Sequence, residues 1–179
     1  MKKELDGGGF LWYDISTSAR GFFFCALFCL GGCSQGRGQS LTTDFAADFT
    51  ADYRGMTLEG KLTYTRQESL NLTVRSPGTL DGVTVGYRGG ELTLGRDSLR
   101  CTADEAYLPC RSFPSLMKDA LTAVCDAYEN DRLNLKEHTA EVTLPQGKCE
   151  IKTDDNAYIT EITVQSEELR VRLTGNSAL

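Results

Sequence analysis

The two residues whose spacing most directly suggests catalysis are Ser115 and Lys118, which form a Ser-x-x-Lys motif. On a helix, residues three apart share a face, so the lysine amine could activate the serine hydroxyl as a nucleophile. Enzymes with this motif also need Ser-Asp-Asn and Lys-Thr-Gly sequences, and neither occurs in the chain. In the predicted amphipathic helix, Lys118 also lies on the polar face. We therefore predict that the protein is not an enzyme.

Metal chemistry is not indicated either. His138 is the only histidine and has no second histidine to share a metal, so we expect an exposed structural residue. Asp44, Asp48 and Asp52 are spaced by four, which places them on one face of a strand. A calcium site of the EF-hand type needs a loop with oxygen ligands at alternate positions, and these residues do not form one. We therefore expect the three aspartates to form a solvated face. We predict no metal and no cofactor.

A covalent modification is indicated near the start of the chain. Residues 22–30 are nine consecutive apolar residues, too few to span a bilayer but typical of a signal peptide. They run into Leu30-Gly31-Gly32-Cys33, which resembles the lipobox of bacterial lipoproteins. That resemblance implies that the Cys33 thiol takes a diacylglyceryl group before cleavage. The protein would then be lipid-anchored on the extracytoplasmic face of a cell membrane. The alternative is a buried core segment.

The predicted organisation is a signal peptide over residues 1–32, a lipidated cysteine with a flexible tether over 33–40, and one domain over 41–179. Residues 1–32 carry equal numbers of basic and acidic side chains, so removing them leaves the net charge at −6. Nucleic-acid binding needs a basic face, and this acidic chain argues against it. Membrane contact is expected through the lipid anchor alone.

Four cysteines follow Cys33, and their spacing matches no zinc site. An even number in an exported protein allows three disulfide pairings. Cys101 and Cys110 flank a short excursion and are the pairing that we consider first. Cys125 and Cys149 fall on apolar faces, where a small buried hydrophobe is at least as good an interpretation.

Apolar and polar residues alternate with period two from residue 45 onward, in six short segments separated by turn residues. This pattern predicts antiparallel strands with one buried face. The spacing changes near Phe113 to that of an amphipathic helix of about four turns, with Ser112 as candidate N-cap and Pro114 in the first turn. The helix ends near Asn130, and about five more strand segments follow from Leu133.

A helix roughly 24 Å long cannot cover about eleven one-faced strands that lie flat. We therefore predict a mainly β (α+β) fold in which a strongly curved antiparallel sheet, an incomplete β-barrel, encloses one amphipathic helix. The segments 53–62 and 70–85, two strands and a Ser-Pro turn leading into a third, resemble the LolA/LolB-type superfamily of lipoprotein carriers and small surface lipoproteins of Gram-positive bacteria. That resemblance implies a hydrophobic cavity able to take acyl chains.

The predicted function is a membrane-anchored lipoprotein that binds a lipid or acyl chain between sheet and helix. The alternative is a structural or interaction lipoprotein of the cell envelope, with a filled core and no small-molecule ligand. The residues expected to line the cavity are the inward apolar positions of the strands and helix. They are Phe45, Phe49, Tyr53, Leu62, Tyr64, Leu72, Val85, Tyr87, Leu121 and Val124.

Overall fold

The structure, a computed structural model, describes residues 40–66 and 69–179. Within them the chain forms ten β-strands and one α-helix. The strands before the helix are β1 (Phe45–Tyr53), β2 (Met56–Thr65), β3 (Ser69–Ser76), β4 (Val83–Arg88), β5 (Glu91–Arg96) and β6 (Leu99–Asp104). The helix is α1 (Phe113–Glu129). The strands after it are β7 (Thr139–Leu144), β8 (Gly147–Thr153), β9 (Ile159–Val164) and β10 (Leu169–Ala178). The predicted signal peptide, Cys33 and nearly all of the tether lie outside the described residues.

All ten strands form one antiparallel sheet in the order β6-β5-β4-β3-β2-β1-β10-β9-β8-β7. Two meanders, β1–β6 and β7–β10, are joined where β1 pairs with β10. That pairing runs from Phe45 opposite Ala178 to Tyr53 opposite Leu169, so the two ends of the described domain lie side by side. The sheet stays open because β6 and β7 are its two edges.

The sheet curves around α1, and its inward side chains meet the apolar face of the helix in one buried cluster. Register shifts between β1 and β10, between β2 and β3 and between β8 and β9 mark bulges, which bend a strand and increase its twist. Gly60 of β2 lies opposite the bulge in β3, and it pairs with Phe49, whose ring crosses it. A Cβ on Gly60 would lie 2.8 Å from that ring, so glycine permits the close approach.

The helix begins and ends as the sequence predicts. Ser112 is the N-cap residue and Pro114 lies in the first turn, although the Ser112 hydroxyl donates to Ser115 and accepts no capping hydrogen bond from a backbone amide. Asn130 ends the helix, and its side chain donates to the carbonyl of Asp126 at 2.6 Å. Among the described residues, no helix has both the length and the apolar character needed to cross a membrane.

The sequence overestimates the number of strands after the helix. Its pattern restarts the strands at Leu133 and Leu135, but these residues lie in irregular chain and pack half-buried against the core. The only pairing that the structure describes nearby is an isolated bridge between Lys136 and Thr139. Four strands therefore follow the helix, and the described sheet has ten strands in place of about eleven.

A candidate binding surface on the concave face

The residues predicted to line a cavity all belong to the core between the sheet and α1. Nine of them are buried and Tyr53 is half-buried. Their rings pack closely: Phe45 lies 6.3 Å from Tyr64, and Phe49 lies 5.5 Å from Phe113, measured between ring centroids. Leu121 and Val124 of the helix are fully buried against them. The hollow is thus occupied by these side chains and by the apolar face of α1.

One polar cluster is enclosed where α1 crosses β4. The hydroxyls of Tyr87 and Ser115 lie 3.2 Å apart, and Ser112 donates to Ser115 at 3.0 Å. Burial raises the pKa of the Tyr87 hydroxyl, so this group remains neutral. The Lys118 amine bonds another partner: it donates to Glu105 at 2.9 Å and lies 5.6 Å from the centroid of the Tyr87 ring. This arrangement fastens the helix to β4 and provides no Ser–Lys hydrogen bond.

Beyond α1, the apolar face of the sheet continues without a cover from the described chain. Leu92 is 1% exposed, but Leu94, two residues along the same strand, is 37% exposed, and Leu99 on β6 is 77% exposed. The register places Leu94 opposite both Val85 and Cys101, so all of these side chains share the concave face. The face is therefore continuous from the buried core to the exposed end of β5 and β6.

This exposed stretch forms a groove of about 460 Å³, which we call the β4–β6 groove. Its floor is apolar, and Arg96 and Arg100 both contribute to its lining, although Arg100, opposite Gly95, lies on the other face of the sheet. Arg96 lies opposite both Val83 and Leu99 and so shares their face. In the part of the chain that the structure describes, neither Arg96 nor Arg100 has an ion-pair partner. The lining residues are Val83, Leu94, Gly95, Arg96, Leu99, Arg100 and Cys101.

Leu94, Leu99 and Cys101 fall within the alternating segments from which the six strands were predicted, but they are not among the residues predicted to line a cavity. One feature of the sequence could have indicated this surface: the strands have more apolar positions than a helix of this length can cover. That excess predicts that the sheet curves. It also means that some strands extend past the helix, and β5 and β6 are the ones that do.

Two further pockets are polar. One, of about 400 Å³, lies between β7, β8 and the segment Gln165–Glu167, and is lined by charged and hydroxyl groups that include Glu141 and Lys148. Those two side chains form an ion pair of 2.7 Å with each other. The other, of about 290 Å³, lies around the turn at Asp97. Neither has an apolar floor comparable to that of the β4–β6 groove.

The four cysteines differ in environment. Cys101 and Cys110 are exposed free thiols, so the disulfide considered between them is not formed in the structure. Cys125 and Cys149 are buried, and burial raises the pKa of their thiols to about 11 and about 12. The interpretation of these two residues as small buried hydrophobes agrees with their positions.

The remaining polar residues that the sequence singled out lie at the surface. Asp48 and Asp52 are exposed, and Asp48 pairs with Arg75 at 3.3 Å. Asp44 accepts a hydrogen bond from the amide of Arg66 at 2.6 Å. His138 is exposed over 41% of its side chain, and its Nε2 lies 3.5 Å from Asp155. Across residues 40–66 and 69–179, no three acidic, histidine or cysteine side chains are grouped to hold a metal ion.

The fold and this surface define the class of architecture: an open, strongly curved antiparallel sheet around one helix, with an uncovered apolar end. No protein-family model matches the chain, and no curated protein matches it. Among solved structures, the chain is similar to an uncharacterized conserved protein from Thermus thermophilus, with a TM-score of 0.42 and 10% identity over 78% of this chain and 80% of that one. It is also similar to a LolA superfamily protein from Nitrosomonas europaea, with a TM-score of 0.41 and 10% identity over 77% of this chain and 87% of that one. The fold class rests on the strand order and helix position of this chain itself.

Proposed function

We propose that the protein is a lipoprotein, anchored through Cys33 on the extracytoplasmic face of a cell membrane, that binds the acyl chain of an anionic lipid in the β4–β6 groove. The observation that carries the binding proposal is the exposed apolar floor that continues the core surface past α1. Contiguous apolar surface with a polar border is typical of a site that another molecule covers.

The proposed position of the ligand is beside the helix. Beneath α1 the inward side chains are packed against each other, so an acyl chain there would have to displace Leu121 or Val124. In the groove, Leu94 and Leu99 are already exposed, and covering them with a methylene chain would remove apolar surface from water. The groove therefore accepts a chain without rearrangement of the core.

The charges at the groove favour a negatively charged headgroup. Although the protein carries a net charge of −6, Arg96 borders the apolar floor and shares its face of the sheet. A guanidinium binds carboxylate and phosphate oxygens through paired hydrogen bonds. An anionic amphiphile would thus place its chain along Leu94 and Leu99 and its headgroup at Arg96.

The anchor is tested by the intact mass of the protein recovered from the membranes of its native host. We expect a chain that begins at Cys33 and carries the mass of a diacylglyceryl group and any further acyl group. An unmodified chain that retains residues 22–30 would contradict the anchor and the localisation.

Binding is tested separately by photolabelling. The protein, reconstituted in phosphatidylcholine vesicles, is irradiated with a diazirine-bearing palmitate, and labelled peptides are identified by mass spectrometry. We expect labelling of residues 83–101, reduced about tenfold by Leu94→Gln, because a leucine covered by the chain contributes about 1.5 kcal/mol or more to the contact. Met56→Gln is the matched control, since Met56 is similarly exposed but lies outside the groove. Labelling of α1 in place of β5 would put the ligand under the helix, and labelling unaffected by Leu94→Gln would contradict the groove site.

The alternative function, a structural or interaction lipoprotein without a small-molecule ligand, is favoured by one observation. The hollow under α1 is filled by side chains of the domain itself. Absence of palmitate labelling anywhere in the domain would favour this alternative.

A further inference from the structure

We infer that β6 is an interaction surface for a second copy of this chain, and that the two β6 strands pair antiparallel about Thr102. This inference does not depend on the proposed lipid ligand. It starts from the position of β6 at one edge of the sheet, where its outer side pairs with no strand of the described chain. An unpaired edge presents free backbone donors and acceptors to another strand.

The edge lacks most features that prevent such pairing. Every residue of β6 is exposed except Ala103, which is half-buried, and the strand contains no proline, lysine or bulge. The other edge of the sheet is different. α1 packs on β7, and Thr139, at the start of β7, exchanges backbone hydrogen bonds with Lys136. The freer of the two edges is therefore β6.

The charges on β6 select a partner and a register. Arg100, Thr102 and Asp104 are spaced by two and lie on the same face of the sheet, opposite to the face that carries Leu99 and Cys101. If Thr102 faces Thr102 of the second copy, each Arg100 faces Asp104 of the other copy. Opposite charges and threonine pairs directly across an antiparallel ladder are both favourable contacts. The sequence of this strand is thus complementary to itself in that register.

Within one chain, Arg100 and Asp104 have no ion-pair partner among the described residues, so both are free to pair with a second copy. Asp104 lies directly opposite Glu91 of β5, so two carboxylates face each other across the ladder. Among the described residues neither has an ion-pair partner, and Arg100 lies opposite Gly95, which carries no charge. Arg100 of a second copy would lie directly opposite Asp104, on the side of β6 away from Glu91. Because this contact is made twice about a two-fold axis, the assembly closes at two copies.

A single strand pair is a small interface, so the association is expected to be weak and is best detected by trapping it. The test uses the full chain in membranes with Cys101 and Cys110 replaced by serine, which removes the two exposed thiols among the described residues. Thr102→Cys is then introduced at the two-fold axis. Residues directly opposite in an antiparallel pair have Cα atoms about 4.5–5.5 Å apart, within the range of a disulfide. We expect a disulfide-linked dimer under mild oxidation.

Two controls define the surface and the register. Arg172→Cys, in the same background, places an exposed thiol on β10 in the middle of the sheet and should not cross-link. The chain that retains Cys101 but not Cys110 should also cross-link poorly, because Cys101 faces Ala103 of the other copy in this register. Cross-linking of either control as fast as Thr102→Cys would overturn the inference, and so would absence of cross-linking by Thr102→Cys.

Charge reversal gives an independent test in the Thr102→Cys background. Arg100→Glu places like charges opposite each other twice, and we expect it to lower the cross-linking rate about tenfold. Asp104→Lys should do the same, and the two substitutions together should restore the rate. Asp104 also accepts a hydrogen bond from the amide of Ala106, but the loss of that contact would not be reversed by Arg100→Glu. Failure of the double variant to recover would contradict the proposed register.

Discussion

The carboxylate of Glu167, with a side chain only 2% exposed, accepts a hydrogen bond from Nη2 of Arg54 at 2.6 Å. The guanidinium of Arg111 lies 3.2 Å from the other carboxylate oxygen, and the Tyr53 hydroxyl donates to the carbonyl of Arg111. These contacts join the turn after β1, the loop before α1 and the segment Gln165–Glu167. One buried carboxylate therefore holds the start of the helix segment against the sheet.

We expect Glu167→Gln to lower the free energy of unfolding by about 2 kcal/mol, because the amide cannot form the two charge-assisted contacts and is itself buried. Denaturant unfolding followed by circular dichroism measures this. Glu168→Gln is the matched control, since Glu168 is the neighbouring exposed residue. Equal stabilities of the two variants would mean that the arginines do not hold the helix segment through Glu167.

Gly60→Ala tests the close approach of β2 to Phe49. The added methyl group would overlap the ring and the backbone of Thr73, so we expect a loss of about 1–3 kcal/mol in the free energy of unfolding. Gly78→Ala is the control, because nothing lies within 4 Å of a Cβ there and its backbone is not left-handed. An unchanged unfolding midpoint for Gly60→Ala would show that the ring is not seated over β2.

The acid dependence of stability is tested at Glu161. Hydrogen bonds from Lys152 and then from Arg170, at 2.8 and 2.7 Å, hold the pKa of this carboxyl below its usual range. A lowered pKa contributes stability above the ordinary glutamate value of about 4.3, and this contribution is lost as the pH falls through the folded-state pKa.

Glu161→Gln should therefore lower stability by about 1 kcal/mol at pH 7 and have little effect near pH 3, as measured by thermal unfolding across that range. Glu150→Gln is the control, since Glu150 is exposed and lies 3.9 Å from Lys152. A deficit for Glu161→Gln that is equally large at both pH values would exclude the ion pairs as its cause.

Thiol alkylation distinguishes the four cysteines of the domain. Because the thiolate is the reactive form, the raised pKa values and burial of Cys125 and Cys149 should keep both unmodified in the native protein at pH 8. Cys101 and Cys110 should react at once. Peptide mapping after timed exposure to iodoacetamide gives each rate, with denatured protein as the reference for full labelling. Protection of Cys101 and Cys110 that reduction removes would instead reveal the disulfide between them.

Local pattern predicted the elements well. Alternation identified the six strands before the helix, because each has one face in the core, and the 3.6-residue period identified α1 with its cap residue Ser112. The same rule failed at Leu133 and Leu135, which are apolar at alternate positions but lie in no strand. An alternating apolar pattern shows only that every second side chain is buried. An irregular segment that packs on a core can have the same pattern.

The candidate surface was predicted only in part. The inward aromatic residues lie where the sequence placed them, yet sequence could not show that they fill the hollow, because filling depends on the depth and direction at which α1 enters it. The sequence did not predict that Leu94 and Leu99 are exposed, for the same reason. Which strands a helix leaves uncovered is decided by the curvature of the whole sheet.

By itself, the sequence determined which residues face inward, where the helix lies, and that one helix is too short to cover a flat sheet. These properties depend on neighbours a few positions apart. The tertiary structure alone decided that β1 pairs with β10, that Glu167 is buried between Arg54 and Arg111, and that β6 is a free edge. Such contacts join residues far apart in the chain, and their partners are selected by the twist and packing of the sheet, which no local pattern encodes.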